Sequence, residues 1–538
     1  MNRNASMSKK TIQILQIVVG VIFGALITLT VVRYRESRHL VTTKYQDWQK
    51  LNAILQVVDR NYVDTFSKNG PTDAAVAAVL SRLDPHSVYM PPVERNASEE
   101  ELAGNFDGIG IQFNVPNDTA IVLEVIPGGP SEKVGLLPGD RLLKVDDKVI
   151  AGVKFPQDSM VRRIKGPSGT KVTITVQRQK EVIPFEITRG KIPLHSVDAA
   201  FMLTDTIGYL RLGKFSRTTY EECHKAALEL KDKGMRHLIF DIRDNSGGYL
   251  DQALLVSNDY LSRGDTIVYM EGLHRPREVF RADGRGDLKE MGLSILISEN
   301  SASASEIFAG AVQDNDRGTI IGRRSFGKGL VQEPFVFTDG SGLRLTVARY
   351  YTPSGRCIQK PYSSAREYSY DIYNRYMDGE VFSADSVRLD TTDVHHTRAG
   401  RIVYGGGGIM PDVFVPVDTT RVSQYYIECN RKAAQMRFAS AVFDRNSARL
   451  REIDSFAQMD RFLKSLNLKV EFPAFTSKEG IRCTEAEWDE TAPYLVPQLY
   501  ALISRYSRLG ENAFYKYYLP VDYTVQEALK GLGVKEPR

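Results

Sequence analysis

The sequence predicts a multidomain α/β protein, and three observations carry that expectation. Between Ile207 and Ile297 apolar strand-length runs alternate with helical patterns, the arrangement of an α/β layer. Upstream, from Phe106 to about Arg189, short alternating strands dominate, at Ala120 to Val125, Arg141 to Val145 and Val172 to Val176. The stretch before them and the last 120 or so residues instead repeat at helical spacing. A length of 538 residues is roughly that of three or four domains. The composition, 42% hydrophobic and 25% charged, is that of a folded globular protein.

In chain order, Ile12 to Val32 is a run of 21 residues (32 − 12 + 1) without a charge. As a helix it spans about 31 Å, enough to cross a bilayer. Its end, Val31-Val32-Arg33-Tyr34-Arg35, lacks the small residues of a signal cleavage site, so residues 1–43 read as a tail and an uncleaved transmembrane anchor. Arg3, Lys9 and Lys10 on one flank balance Arg33, Arg35 and Arg38 on the other, and charge alone gives no orientation. From 44 to 102 a helical lead-in follows. Leu51, Ile54, Leu55 and Val58, then Ala75, Val79 and Leu80, recur at helical spacing, with Gly70-Pro71 breaking the run. His86, beside Pro85, reads as a turn residue.

The chemistry concentrates in Asn300 to Gln332. Ser303-Ala304-Ser305-Glu306 follows the strand-like run Leu293 to Ile297, and a helix should begin near Ser303. Ser325-Phe326-Gly327-Lys328-Gly329 places a lysine between two glycines, 328 − 303 = 25 positions on. A serine hydroxyl needs a neighbouring base. Lysine serves if burial keeps it neutral, and Ser-Lys pairs are a known variant of the serine triad. A helix start also brings unpaired N–H groups that suit an oxyanion. Plainer readings stand beside this one: S-x-x-E is a capping box, and a lysine between glycines is often a solvated loop charge. Gly322 to Gly329 nearly matches the phosphate-binding pattern G-x-x-x-x-G-K-[ST]. However, Gly329 stands where the hydroxyl belongs, and Leu330 to Phe337 reads as a strand rather than the required helix.

Three words, SASASE at 301–306, FGKG with a glutamine four residues after its lysine, and DGSGLRLTVARYYTPSG, together resemble the C-terminal processing peptidases, or tail-specific proteases. Asp241-Ile242-Arg243-Asp244-Asn245-Ser246-Gly247-Gly248 is similar to that family's D-[LI]-R-x-N-x-G-G word, and Gly405 to Asp412 to its G-G-x-x-P-D word. The likeness spans roughly Lys44 to Pro416. It implies Ser303 as nucleophile, Lys328 as general base, Gln332 as the residue that orients the lysine, and Gly248 and Ala304 as oxyanion-hole donors. It implies a PDZ domain at 103–190, whose carboxylate-binding loop would be Gly108, Ile109, Gly110 and Ile111. Gln157 to Lys165 would be its groove helix, taking protein or peptide tails with apolar C-termini by strand addition. A crotonase-like core at 191–417 and a body on the periplasmic side of the bacterial inner membrane are implied as well.

Pro361 to Arg401 shows no period and reads as an irregular insertion. Residues 418–538 read as a helical domain, through Arg421 to Ile453, Asp454 to Leu466 and Glu485 to Ser507, suited to homo-oligomer or adaptor contacts. A net charge of +4 without a basic block sets nucleic acid aside. Cys223, Cys357, Cys429 and Cys483 match no zinc or redox spacing, and no histidine lies in an H-E-x-x-H word, so neither metal nor cofactor is expected. The competing class is a membrane-tethered PDZ receptor or scaffold without catalysis. The intact trio Ser303, Lys328 and Gln332 argues against it.

Overall fold

Six strands build the central sheet of the body, in the order Val197–Met202, Ile207–Leu212, His237–Asp241, Gly292–Ile297, Thr319–Gly322 and Val413–Phe414. Only the first pair is antiparallel. Strands covered on both faces need continuous apolar runs rather than alternation, and His237–Asp241 and Gly292–Ile297 are buried almost throughout. On one face the helices Thr219–Asp232, Leu250–Tyr260 and Ala304–Asp314 contribute Ala227, Leu230, Ala253, Val256 and Phe308 to a core shared with Leu210, Phe240 and Ile295. On the other face Tyr209, Ile239, Leu296 and Ile321 pack against Leu519, Val525, Ala528 and Leu529 from the end of the chain. The C-terminal region thus forms the second cover of the sheet.

This computed structural model describes residues 18–22, 24–29, 46–64, 69–115, 118–419 and 423–534. They divide into two units, Met1–Ala78 and Val79–Arg538. In the first lie the helix Gln46–Asn61 and most of Asn69–Leu80. Gly70 and Pro71 sit in the first turn of the latter, where proline costs little because its missing N–H has no intrahelical partner. Much of the expected membrane run Ile12–Val32 lies outside the described residues, although 18–22 and 24–29 are helical. Among the described residues no helix is long and apolar enough to cross a membrane.

In the second unit a six-strand sheet runs Ile111–Asn114, Ala120–Val125, Arg141–Val145, Lys171–Arg178, Glu181–Thr188, with Lys148–Val149 as the sixth strand paired to Arg141–Val145. It packs with the helix Gln157–Ile164 through Met160 and Ile164. A further sheet runs Val88–Met90, Gly342–Tyr351, Thr266–Gly272, Arg275–Arg281, with Leu330–Val336 pairing Gly342–Tyr351. All four cysteines are free.

Two expectations need correction. The insertion is not irregular: Ala365–Met377 is a helix capped by the Ser364 side chain, and Val394–His396 pairs Ile402–Tyr404. That helix is anchored by buried polar side chains as much as by apolar ones, so its hydrophobic period is faint. The expected helix Arg421 to Ile453 is two, Gln424–Arg431 and Ala434–Glu452, divided at Ala433 in a left-handed conformation (φ 51°). Leu468–Lys478, Gly510–Tyr518 and Tyr523–Gly531 are further helices that the sequence reading did not resolve.

Candidate active site

The strand Gly292–Ile297 delivers the chain into a turn tied to its neighbours by hydrogen bonds. Ser301 Oγ donates to the Ile242 carbonyl at 2.8 Å, and the Ala302 N–H donates to the Asn245 carbonyl at 3.0 Å. The helix Ala304–Asp314 then starts, with Ser303 at its N-cap in a conformation rare for a residue with a side chain, φ 56° and ψ −115°. Such a backbone costs about 1–3 kcal/mol and persists only where its surroundings impose it.

Glu306 imposes much of it. Its carboxylate is fully buried and accepts four hydrogen bonds: from Ser303 N–H (2.9 Å), Gly327 N–H (2.7 Å), Lys328 N–H (2.9 Å) and the Ser325 hydroxyl. Burial, the largest influence, raises its pKa, and the four donors oppose that rise. The S-x-x-E word is therefore a capping box and more. The Glu306 side chain reaches back to the Ser303 N–H as a box requires. The Glu306 N–H is taken by the Ser303 carbonyl at 2.8 Å, and the Ser303 side chain makes no cap bond of full geometry. Tyr350 Oη repeats the tie, its single O–H within hydrogen-bond distance of the carbonyls of both Ser303 (3.1 Å) and Lys328. Two words 25 residues apart are thus held backbone to backbone through two shared partners.

Burial lowers the Lys328 pKa to about 8, and the Arg344 guanidinium adds to the effect against the pull of Glu306 and Asp84. Its Nζ donates to Gln332 Oε1 at 2.9 Å, and Gln332 Nε2 in turn donates to the main-chain carbonyl of His86. No hydrogen bond joins the Ser303 hydroxyl to the Lys328 amine in this conformation.

Gly247 lies against the serine from the neighbouring strand end, and Gly248 follows it against Phe215. Both have positive φ, 99° and 148°. A Cβ on Gly248 would lie 2.0 Å from the Phe215 carbonyl oxygen; one on Gly247 would lie 2.8 Å from Ser303 Cβ and 2.9 Å from the Ala304 nitrogen. Only glycine fits either place, and Gly247 and Ala304 are shown to be immediate neighbours. Among the described residues neither the Gly248 nor the Ala304 N–H donates to a protein group. Two backbone donors beside a serine at a helix start can stabilise a developing oxyanion.

Several participants escaped the sequence reading. Besides lending its carbonyl to Gln332, His86 stacks edge-on against Tyr368 of the insertion helix and shares a hydrogen bond with its hydroxyl. Burial, then the nearby Lys328, pulls its pKa down to about 4. Arg375 of that helix donates to the carbonyls of Ser325 (2.8 Å) and Phe326 (3.3 Å). The Ile409 N–H donates to Ser325 Oγ at 2.6 Å, which explains the glycine-rich word before it: a Cβ on Gly408 would lie 2.7 Å from the Ser325 carbonyl oxygen. Ser325, Gly408 and Ile409 lie in words quoted from the sequence and His86 was read as a turn residue, whereas Tyr368 and Arg375 lie in a segment with no period.

Away from this site, Gly108 pairs with Gly190, Gly110 turns at φ 76°, Ile109 is buried and Ile111 opens the edge strand Ile111–Asn114. Among the described residues that strand pairs only with Ala120–Val125. Its outer edge can take an added strand. Among the described residues no group of three His, Cys, Asp or Glu side chains is placed to hold a metal.

A serine at a strained strand-to-helix turn, tied backbone to backbone to a lysine of lowered pKa, with the Gly248 and Ala304 N–H groups left without a protein acceptor, is the arrangement a serine peptidase needs, and a separate sheet presents an edge strand. Comparison with known proteins agrees. Residues 206–364 match Peptidase family S41, and residues 108–188 match the PDZ domain. A probable CtpA-like serine protease of Staphylococcus aureus (strain bovine RF122 / ET3-1) is 32% identical over 363 residues, covering 66% of this chain and 72% of that protein. One of Staphylococcus haemolyticus is 31% identical over 360 residues, with the same coverage. Among solved structures, the photosystem II D1 C-terminal processing protease aligns over 69% of this chain and 94% of its own, at 25% identity and a TM-score of 0.37. The chain belongs to peptidase family S41 and is a CtpA-like serine peptidase with a PDZ domain.

Proposed function

We propose that the chain is a membrane-anchored endopeptidase that cuts protein substrates near their C-termini by acylation of Ser303. The observation that carries this reading is the buried Glu306 carboxylate, which holds the main-chain N–H groups of Ser303 and Lys328 together beside a lysine whose pKa is near 8. After a side-chain rotation that brings amine to hydroxyl, neutral Lys328 takes the Ser303 proton as the oxygen attacks the scissile carbonyl. Gln332 orients the amine, and the Gly248 and Ala304 N–H groups take the charge on the carbonyl oxygen. The tetrahedral intermediate collapses to an acyl-enzyme as Lys328 returns the proton to the leaving amine. Water, deprotonated by the same lysine, then releases the acid and restores the serine.

The PDZ domain supplies the tail preference. A free C-terminal carboxylate meets the N–H groups of the Gly108–Ile111 loop, the preceding residues extend the sheet along Ile111–Asn114, and an apolar last side chain enters beside Ile109 and Ile111. The apolar run Ile12–Val32 anchors the chain, with the body on the periplasmic side of the inner membrane. Incubation of the full chain with an unfolded protein, its C-terminus free or amidated, tests both halves, with cut sites mapped by mass spectrometry. Cleavage should disappear in Ser303→Ala and slow severalfold on the amidated tail. Equal rates on the two tails would refute the PDZ role, and cleavage by Ser303→Ala would refute the nucleophile.

A further inference from the structure

We propose that Asp522, in the C-terminal helical domain and outside the S41 match, is a positioning residue for the oxyanion loop of the protease core. The proposal rests on the catalytic reading above. Asp522 accepts from both terminal nitrogens of Arg243, at 2.9 and 2.8 Å. The same guanidinium donates to Asp241 from Nε (3.0 and 3.1 Å) and Nη2 (2.6 Å), and the Arg243 N–H donates to Asp241 Oδ1 at 2.9 Å. Asp241 also accepts from Tyr209 Oη at 2.7 Å and Arg211 Nη1 at 3.1 Å. The Asp241, Arg243 and Asp522 side chains are 0%, 13% and 8% exposed.

This cluster stands at the head of the turn that ends in Gly248. One residue after Arg243, Asp244 has φ 62°. Next comes Asn245, fully buried, whose Oδ1 accepts from the Gly247 N–H at 2.9 Å and whose Nδ2 donates to the Leu212 carbonyl at 2.9 Å. Its carbonyl accepts from the Ala302 N–H (3.0 Å) and Ser305 Oγ (2.9 Å), on both sides of Ser303. Three residues therefore separate Arg243, held by Asp522, from Gly247.

Charge explains why Asp522 matters to this turn. Two guanidiniums, Arg211 and Arg243, converge on one buried carboxylate, Asp241. Burial opposes the Asp241 charge, but the two arginines hold its pKa well below the usual carboxylate range. Asp522 is the second anion on Arg243, while Asp198 and Asp244 stand 3.6 and 3.8 Å from Arg211; without Asp522 the buried Arg243 cation loses one of its two carboxylates, which strains the geometry. Asp522 is itself fixed: it caps the helix Tyr523–Gly531, accepting from the Val525 N–H at 3.2 Å. That helix is bolted to the sheet by Val525, Ala528 and Leu529. The C-terminal domain thus presents a rigid carboxylate to the loop that must hold an oxyanion donor to within a fraction of an ångström.

The test uses the full chain with Asp522→Asn, which keeps the shape and the helix cap, Asp522→Glu, and Asp444→Ala as a control. Asp444 pairs with Arg141 of the PDZ domain at 2.5 Å and touches nothing in this loop. Steady-state hydrolysis of unfolded casein is measured, with kcat expressed per site counted by a serine-acylating probe. Displaced oxyanion donors act on the transition state, so Asp522→Asn should lower kcat per site about tenfold or more with KM unchanged. Asp522→Glu should recover most of it, and Asp444→Ala should leave kcat as it was. In a double-mutant cycle with Arg243→Lys, the second substitution should add little to the first. A kcat within twofold of wild type for Asp522→Asn, an equal loss in Asp444→Ala, or additive losses with Arg243→Lys would each overturn the role of Asp522. No Ser303-dependent hydrolysis by the wild-type chain would instead overturn the catalytic reading on which it stands.

Discussion

Turnover is expected to rise with pH through an apparent pKa near 8, because the base must be neutral to accept the serine proton. Lys328 is pushed down to about 8 by burial first and by Arg344 second. The sign follows: protonated lysine is inactive, so kcat/KM falls about tenfold per unit below pH 8 and stands near 1% of its plateau at pH 6. Since the Arg344 charge disfavours a charged neighbour, Arg344→Gln should move the inflection to higher pH and lower activity at neutral pH. Lys328→Ala should remove turnover at every pH, and Lys328→Arg should do the same because a guanidinium does not deprotonate. A flat profile between pH 6 and 9, or an inflection near 10.5 where an exposed lysine titrates, would contradict this assignment.

The second large effect is expected at Glu306. Glu306→Ala leaves three backbone N–H groups and one hydroxyl without their acceptor in a dry place, at about 1–3 kcal/mol for each buried group left unpaired. A loss on the order of 4 kcal/mol is a large fraction of a domain's stability and should lower the unfolding midpoint of the core by about 10 °C. Glu306→Gln preserves volume, but its amide nitrogen turns toward donors on one side of the site. It should lose at least about a hundredfold in kcat, with a smaller thermal shift, because the amide nitrogen must face either the Ser303 and Lys328 N–H pair or the Gly327 N–H and Ser325 hydroxyl, and that pair loses its acceptor. Calorimetry beside steady-state kinetics separates the two outcomes; a Gln variant with wild-type kcat would show that the shared carboxylate is dispensable.

Local features of the fold were legible in the sequence. Apolar strand runs such as His237–Asp241 and Gly292–Ile297, and the alternation at Ala120–Val125 and Arg141–Val145, carry their structure in their own period, and the observed bounds match closely. Ser303, Lys328 and Gln332 were visible as words, since each lies in a turn or strand whose neighbours constrain it. What binds those words together was not visible. The four donors to Glu306, the His86 carbonyl under Gln332 and the Asp522 carboxylate on Arg243 join residues as much as 279 positions apart, and such contacts leave no spacing to read. The insertion helix Ala365–Met377 escaped for a related reason. Its inward residues Tyr368 and Arg375 are amphipathic or charged, so a hydrophobic period does not mark the buried side.

The two-word site is tested most directly by covalent labelling. The full chain is treated with a fluorophosphonate, digested, and the modified peptide sequenced by mass spectrometry, for the wild type and for Lys328→Ala. The expected result is a single adduct on Ser303 in the wild type, formed faster as pH rises through 8, and almost none in Lys328→Ala. Modification of some other serine, or equal labelling of Ser303 with and without Lys328, would contradict a Ser303–Lys328 active site.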